Sequence, residues 1–360
     1  MPTTTQPSEH SDPLSPLAEK LAGGADLSAA EAAGAAAALA DPAPEPGAKE
    51  AFLRALSAKG ETPEEVSSFA KVFRDLSLPT GLDDLAPDAI DIVGTGGDRS
   101  GTFNFSTATA LLLASIGVPV MKHGNRSITS RSGSADLLAA LGVRMDHGPA
   151  LLRESLERFN FCFFFAPAFH PAFKEIMPVR KRLAESGART IFNLLGPLIN
   201  PGRPAHQLMG VFGRGWVAPI AEALDRLGLR AALVVHSETG PDSGVDELTV
   251  AGANRARGAG ALRGFDFPAD PGSLGLARAR LADLLGGGPG ENRIILRSLA
   301  EGTAGAPMRD TLCLNAGAAL FTCGRVESVG AGIETARQAI RDRVFHDWLA
   351  RFETFNGENS

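Results

Sequence analysis

The sequence predicts an α/β protein: a mostly parallel central sheet flanked by helices, with a smaller all-helical domain at its N-terminal end. Two observations carry that expectation. From Ile90 onward, apolar runs at Ile90–Val93, Val118–Met121, Phe161–Phe165, Leu208–Phe212 and Ala231–Val235 alternate with helical patterns. These helical patterns are Ala108–Ile116, Ala135–Leu141, Leu151–Phe159 and Val217–Leu227. Such an order gives a parallel sheet with helices on both faces. Before Ile90, residues 14–78 carry helical patterns alone.

Residues 1–13, rich in Ser, Thr and Pro, read as a disordered tail. Asp26-Leu-Ser28 marks a helix start before an alanine-rich stretch, and Asp41-Pro-Ala-Pro-Glu-Pro-Gly47 breaks it. Glu64–Leu76 puts Val66, Phe69, Ala70, Val72, Phe73 and Leu76 on one apolar stripe. The C-terminal third adds long helices over about 306–322 and 327–352. No internal repeat is present.

At 360 residues the chain can bury a substantial core, and its 44% hydrophobic and 21% charged content is that of a soluble globular protein. A net charge of −6 argues against a general nucleic-acid surface. Cys162, Cys313 and Cys323 have no metal or redox spacing, which suits a reducing cytoplasm. No signal pattern or membrane-spanning apolar run is read, so the expectation is a cytoplasmic protein without a membrane partner.

The chain centres on Asp91-Ile-Val-Gly-Thr-Gly-Gly-Asp-Arg-Ser-Gly-Thr-Phe-Asn-Phe-Ser-Thr107. It reads as a strand end, a glycine-rich turn and a helix start. Gly94, Gly96, Gly97 and Gly101 leave N–H groups bare, and Asn104, Ser106 and Thr107 add polar side chains where a helix N-terminus favours an anion. A βα turn capped by Ser or Thr accounts for the same residues. No Lys follows the glycines, and Arg99 stands where a dinucleotide fingerprint needs glycine, so neither common nucleotide loop fits.

A second loop, Lys122-His-Gly-Asn-Arg-Ser-Ile-Thr-Ser-Arg-Ser-Gly-Ser-Ala-Asp136, follows a predicted strand and gathers Lys122, Arg126 and Arg131 with four serines. It suits a polyanion, and Ser134 is expected to cap the next helix, with Gly142 as its stop. A solvated basic loop is the plainer alternative, and His123 alone is more often structural than catalytic. In His170-Pro-Ala-Phe-Lys-Glu-Ile-Met-Pro-Val-Arg180, the Arg180 fork suits a carboxylate. The stretch Arg189–Pro201 holds turn pairs at Gly196-Pro197 and Asn200-Pro201. Asp246 and Glu247 follow the Ala231–Val235 strand; such a pair is commonly a surface feature, but beside two anion loops it can hold Mg²⁺ against a diphosphate.

In this order and spacing, Gly94-Thr-Gly-Gly-Asp98 with Asn104-Phe-Ser-Thr107, Lys122-His-Gly-Asn-Arg126, Thr190-Ile-Phe-Asn-Leu-Leu-Gly-Pro-Leu198, Val245-Asp-Glu247 and Leu314-Asn-Ala-Gly-Ala-Ala-Leu320 resemble the anthranilate phosphoribosyltransferase family. The likeness runs from about Leu17 to about Phe355. It implies a small helical domain over 14–85, with part of 170–200 packing on it, and a large domain over 86–355. It implies contacts to phosphoribosyl diphosphate from Gly94, Gly97, Asp98, Thr102, Asn104, Ser106, Thr107, Lys122, Ser130 and Ser134. Anthranilate contacts fall to Gly94, Asn125 and Arg180, and those to Mg²⁺, as two ions, to Ser106, Asp246 and Glu247. It also implies a homodimer and association with a glutamine amidotransferase of anthranilate synthase. Thr129 replaces a usual Ser, Ala139 a common Glu, and Ser237–Ser243 is longer than is usual in the family.

The implied reaction moves the phosphoribosyl group onto the amine of anthranilate, in tryptophan biosynthesis, and releases diphosphate. Negative charge builds on the leaving diphosphate, so Mg²⁺, Lys122 and the Gly94–Gly97 N–H groups are expected to stabilise it. The aryl amine is already nucleophilic, so no catalytic acid–base residue is assigned. The rivals are a pyrimidine nucleoside phosphorylase, similar in architecture, and a non-catalytic nucleic-acid-binding paralogue of the same fold.

Overall fold

The computed structural model describes residues 12–127, 131–240 and 243–358. The expected tail through residue 11, together with Thr129 and Ser130, lies outside the described residues.

Four helices open the chain: α1 (Ser15–Ala22), α2 (Ala29–Ala40), α3 (Pro46–Lys59) and α4 (Pro63–Asp75). Ser28 starts α2 through a reciprocal cap, its backbone N–H donating to Glu31 at 2.8 Å while its hydroxyl accepts from the Glu31 N–H. Thr62 and Glu65 do the same for α4. The α4 stripe buries Val66, Phe69, Ala70 and Phe73, as its 3.6-residue spacing requires.

The remainder runs β1 (Ile90–Gly94), α5 (Phe105–Ser115), β2 (Val120–Gly124), α6 (Ser134–Ala140), α7 (Pro149–Phe159), β3 (Phe161–Phe165), α8 (Ala166–Phe169), α9 (Phe173–Glu185) and α10 (Phe192–Leu195). Then come β4 (His206–Gly210), α11 (Val217–Arg226), β5 (Ala231–Gly240), β6 (Ser243–Val245), β7 (Ala253–Gly260) and β8 (Asp266–Ala269). Four helices close it: α12 (Pro289–Glu301), α13 (Ala306–Thr322), α14 (Val329–Arg341) and α15 (Val344–Glu358).

The sheet order is β3-β2-β1-β4-β5-β7-β8, with β6 paired to β5. Strands β1 to β5 are mutually parallel, whereas β6, β7 and β8 join antiparallel. The alternation along β5 divides the core. Leu233 and Val235 face a cluster with α5 and α13, and Ala232 and Val234 face the other cluster, with α11. That second cluster also takes in the N-terminal helices, Ile176 and Val179 of α9, and Phe192 of α10.

Three expectations need correction. The helix expected over 327–352 is two helices, because Arg343 adopts a left-handed φ of 63° between α14 and α15. Strand β2 starts at Val120 rather than Val118, which places Lys122 and His123 in the sheet instead of a solvent loop. Ser134 is the first residue of α6 and does not cap it; Asp136 reaches back to the Gly133 N–H at 2.9 Å, and the Ser134 hydroxyl donates to the Asn125 carbonyl at 3.3 Å. Gly142 does end the helix, at φ 90°.

Candidate active site

Strand order reverses between β1 and β4, the position where α/β sheets form a crevice beyond their carboxyl ends. Gly94 and Gly210 pair across that junction, and neither has room for a side chain. A Cβ on Gly94 would lie 2.3 Å from Asp246 Oδ2, and one on Gly210 would lie 1.4 Å from the Asp246 carbonyl oxygen. The two glycines therefore let the turn carrying Asp246 and Glu247 settle over the strand ends.

The glycine loop closes onto this turn. Gly96 and Gly97 take left-handed φ values of 68° and 77°. The Gly96 N–H donates to Asp246 Oδ2 at 2.7 Å, and the Asp246 N–H donates to Asp98 Oδ2 at 3.3 Å. At the start of α5, the Ser106 N–H donates to Glu247 Oε1 at 2.7 Å, a carboxylate placed at a helix N-terminus. The structure thus brings Gly94, Asp98, Ser106, Asp246 and Glu247 together. Among the described residues, Thr102 bonds only Ser100 through its side chain, at 2.9 Å, and the Thr107 hydroxyl is buried without a protein partner.

The electrostatics of this cluster are unusual. Burial, and then the charge of Asp98, raise the Asp246 carboxyl to about 7. Glu247 is pushed well above its ordinary value by burial and then by Asp246. Lys122 lies beneath, 1% exposed, donating to the Ile92 carbonyl, with Asp91 and Glu247 as its nearest opposing charges. Asp91 is itself fully buried and raised to about 6 by that burial, and it accepts from Asn200 Nδ2 at 2.8 Å. Among the described residues no three His, Cys, Asp or Glu side chains form a closed metal cage. The donor set is instead two adjacent carboxylates, Glu247 buried and Asp246 half-buried, opening onto a loop of N–H groups. That set fits Mg²⁺, which keeps waters and shares itself with substrate phosphates.

Arg180 stands apart from this cluster. It is half-buried on α9, its guanidinium 5.1 Å from the Phe192 ring centroid and 5.6 Å from that of Phe173. Burial disfavours its charge, and among the described residues no carboxylate pairs with it. A cation held by two aromatic rings without a counter-ion is suited to an aromatic carboxylate. Ring contacts lead from Phe173 to His170 and on to His123. His123 Nδ1 lies 3.1 Å from the Gly196 carbonyl, so it carries the proton; His123 Nε2 then accepts from His170 Nε2 at 3.2 Å. Burial lowers both imidazoles, His170 to about 4, so the pair is neutral near pH 7. Asn125 is exposed, and its carbonyl accepts from Ser134 at the rim of the same strand end.

Four further residues shape the site although their motifs did not single them out. Gly210 gives the close approach described above. Asn200, read only as part of a turn, ties β1 to β2 through Asp91 and the Met121 carbonyl. Arg189 stacks 4.0 Å from the Phe212 ring centroid and donates to the Gly97 carbonyl at 3.1 Å, joining the segment after α9 to the glycine loop. Asn292 bonds Asn104 at 2.8 Å. Arg189 and Asn200 already stood in the Arg189–Pro201 stretch, but no local pattern marks Gly210 or Asn292.

Residues 86–343 match the a/b domain of a glycosyl transferase family, and residues 15–77 match the helical bundle domain of that family. Over 355 residues the chain is 44% identical to an anthranilate phosphoribosyltransferase of Rhodospirillum rubrum, with 97% of each covered. The chain belongs to the anthranilate phosphoribosyltransferase family. The crystal structure of the family's enzyme from Thermus thermophilus superposes with a TM-score of 0.84 at 40% identity, covering 94% of this chain and 99% of that one. The Saccharomyces cerevisiae anthranilate phosphoribosyltransferase in complex with PRPP and Mg superposes at 0.83 with 25% identity, covering 96% and 98%.

Proposed function

We infer that this chain transfers the 5-phosphoribosyl group from phosphoribosyl diphosphate to the amine of anthranilate, giving N-(5-phosphoribosyl)anthranilate and diphosphate in tryptophan biosynthesis. The observation that carries the reading is the meeting of the glycine loop with Asp246 and Glu247 at the β1–β4 junction. An anion loop and an adjacent acid pair attract one another's ligands, a diphosphate and a divalent cation.

In this proposal Gly94, Gly97, Asp98, Thr102, Asn104, Ser106, Thr107, Ser130 and Ser134 contact the phosphoribosyl diphosphate. The exposed N–H groups of the loop face the oxygen on which charge grows as the glycosidic bond breaks. Asp246 and Glu247, with Ser106, hold Mg²⁺, which when bound neutralises the departing diphosphate. Two ions are proposed, because Asp98 adds a third acidic group beside the pair. Lys122 contributes from below as a counter-charge that partly opposes the upward push of burial and Asp246 on the Glu247 carboxyl. Arg180 grips the anthranilate carboxylate and, with Gly94 and Asn125, aims the amine at the anomeric carbon. The neutral His123–His170 pair adds no charge there, which suits an amine that attacks without a strong base.

A division into a helical domain over 14–85 and a large domain over 86–355 is part of the same reading, supported by the bounds of the two family matches. So are a cytoplasmic location, a homodimer and an amidotransferase partner. No helix of the described residues is long and apolar enough to cross a membrane. Exposed Leu76, Leu78 and Met177 on the helical side support self-association, which light scattering checks.

The functional reading is tested by supplying phosphoribosyl diphosphate, Mg²⁺ and anthranilate and following diphosphate release. Phosphorolysis of a pyrimidine nucleoside is run beside it. Product with anthranilate and none from the nucleoside supports the transferase; the reverse overturns it.

A further inference from the structure

Asn292 lies in the first turn of α12, 2% exposed, and both ends of its amide are engaged. Its Oδ1 accepts from the Gly287 N–H at 2.7 Å, and its Nδ2 donates to Asn104 Oδ1 at 2.8 Å. Asn104 Nδ2 in turn donates to the Ser132 carbonyl at 2.9 Å. One chain of hydrogen bonds therefore runs from α12, across the end of the glycine loop, to the loop before α6. The two ends of an amide are not interchangeable, so each bond fixes the orientation of the next.

The segment entering α12 is pressed against the same loop. The Gly286 N–H donates to the Gly101 carbonyl at 3.0 Å, and the Phe103 N–H donates to the Leu284 carbonyl at 2.9 Å. A Cβ on Gly286 would lie 2.8 Å from Phe103 Cα and 2.9 Å from Asn292 Oδ1, so this contact has no slack. Arg131 completes the frame by pairing with Glu291 at 3.1 Å.

We propose that Asn292 is a positioning residue for donor binding. It holds the Asn104 amide with its second N–H turned to the phosphoribosyl diphosphate, and it sets the spacing of the two loops that grip that donor. This rests on the donor-binding reading given above. Asn104 has two amide hydrogens, and only the one on Ser132 has a protein partner among the described residues. Reversing the amide would set its oxygen against the Ser132 carbonyl. Among the described residues, Asn292 is the α12 group that opposes that reversal.

Asn292→Asp separates this role from mere packing. The carboxylate keeps the shape and still accepts from Gly287, but it presents an oxygen to Asn104 Oδ1 where a donor stood. Asn292→Ala removes both bonds, and Ile294→Ala, at a 71% exposed position on the same helix, is the control. With the folded variants, the KM for phosphoribosyl diphosphate should rise about tenfold in Asn292→Asp, the effect of one lost hydrogen bond. The KM for anthranilate should stay within about twofold, and adding Asn292→Asp to Asn104→Ala should change the donor KM no further. An unchanged donor KM in Asn292→Asp, an equal rise in both constants, or additive effects with Asn104→Ala would each overturn the inference. An inactive parent chain would instead refute the functional reading on which it rests.

Discussion

Gly210→Ala tests the idea that two glycines seat the acidic turn. The added methyl would begin 1.4 Å from the Asp246 carbonyl oxygen, whereas real contacts of this kind stop near 3.0 Å. The turn must therefore retreat by the difference, about 1.6 Å. Two bonds of 2.7 Å depend on its present place, Gly96 N–H to Asp246 and Ser106 N–H to Glu247. A retreat of that size stretches both beyond hydrogen-bonding range. A hydrogen bond to a charged group contributes about 1.5–3 kcal/mol, so losing one of the two changes affinity by about ten- to a hundredfold. Mg²⁺ titration of diphosphate release should show half-saturation raised at least about tenfold. The control is Gly34→Ala, a substitution into open space inside α2, which should leave Mg²⁺ dependence alone. A Gly210→Ala enzyme with the parent's Mg²⁺ dependence would refute the reasoning.

Three other outcomes are expected. Asp246, raised to about 7, must lose its proton to take a metal, so Mg²⁺ half-saturation should rise as pH falls from 8 to 6. By linkage, the metal-free chain should lose stability as pH rises from 3.8 toward about 7, where only the folded state keeps the proton; pH-flat melting and Mg²⁺ titrations would contradict both. Gly97→Val forces a β-branched residue to φ 77° in otherwise open space, which should weaken donor binding about tenfold by calorimetry and leave anthranilate untouched. Arg180→Ala should raise the anthranilate KM by about one to two orders of magnitude and the donor KM only slightly. Aniline should not discriminate parent from variant; a variant that still preferred anthranilate would move carboxylate recognition to Asn125.

What could be read from the chain follows the range of the forces involved. Strands β1 to β5 each carry a short apolar run because helices cover both faces of the sheet, although Asp91, Lys122, His123, His206 and Gln207 interrupt them. Strand β7, Ala253–Gly260, carries Arg255 and Arg257 between small residues at the sheet's antiparallel side, and β6 has only three residues, so neither has a strand pattern. Helix α9 contains Pro178, and α12 starts after three glycines, which hid both. The break before α15 falls on Arg343, which no composition rule marks. Site residues within one motif were legible from spacing. Gly210 and Asn292 were not, because their importance arises only when the β1–β4 register and the docking of α12 bring them against Asp246 and Asn104.

The central claim is that Asp246 and Glu247 place Mg²⁺ against the donor diphosphate at the glycine loop. It is tested most directly by Mg²⁺-dependent turnover of the Asp246→Ala, Glu247→Ala double variant, with circular dichroism to monitor its fold. Both carboxyls are raised, so the adjacent pair is costly to ionise without a cation, and removing it should leave the metal-free chain folded. The predicted result is a folded protein whose turnover no longer responds to Mg²⁺ at any concentration. A double variant with the parent's rate and the parent's Mg²⁺ response would contradict it.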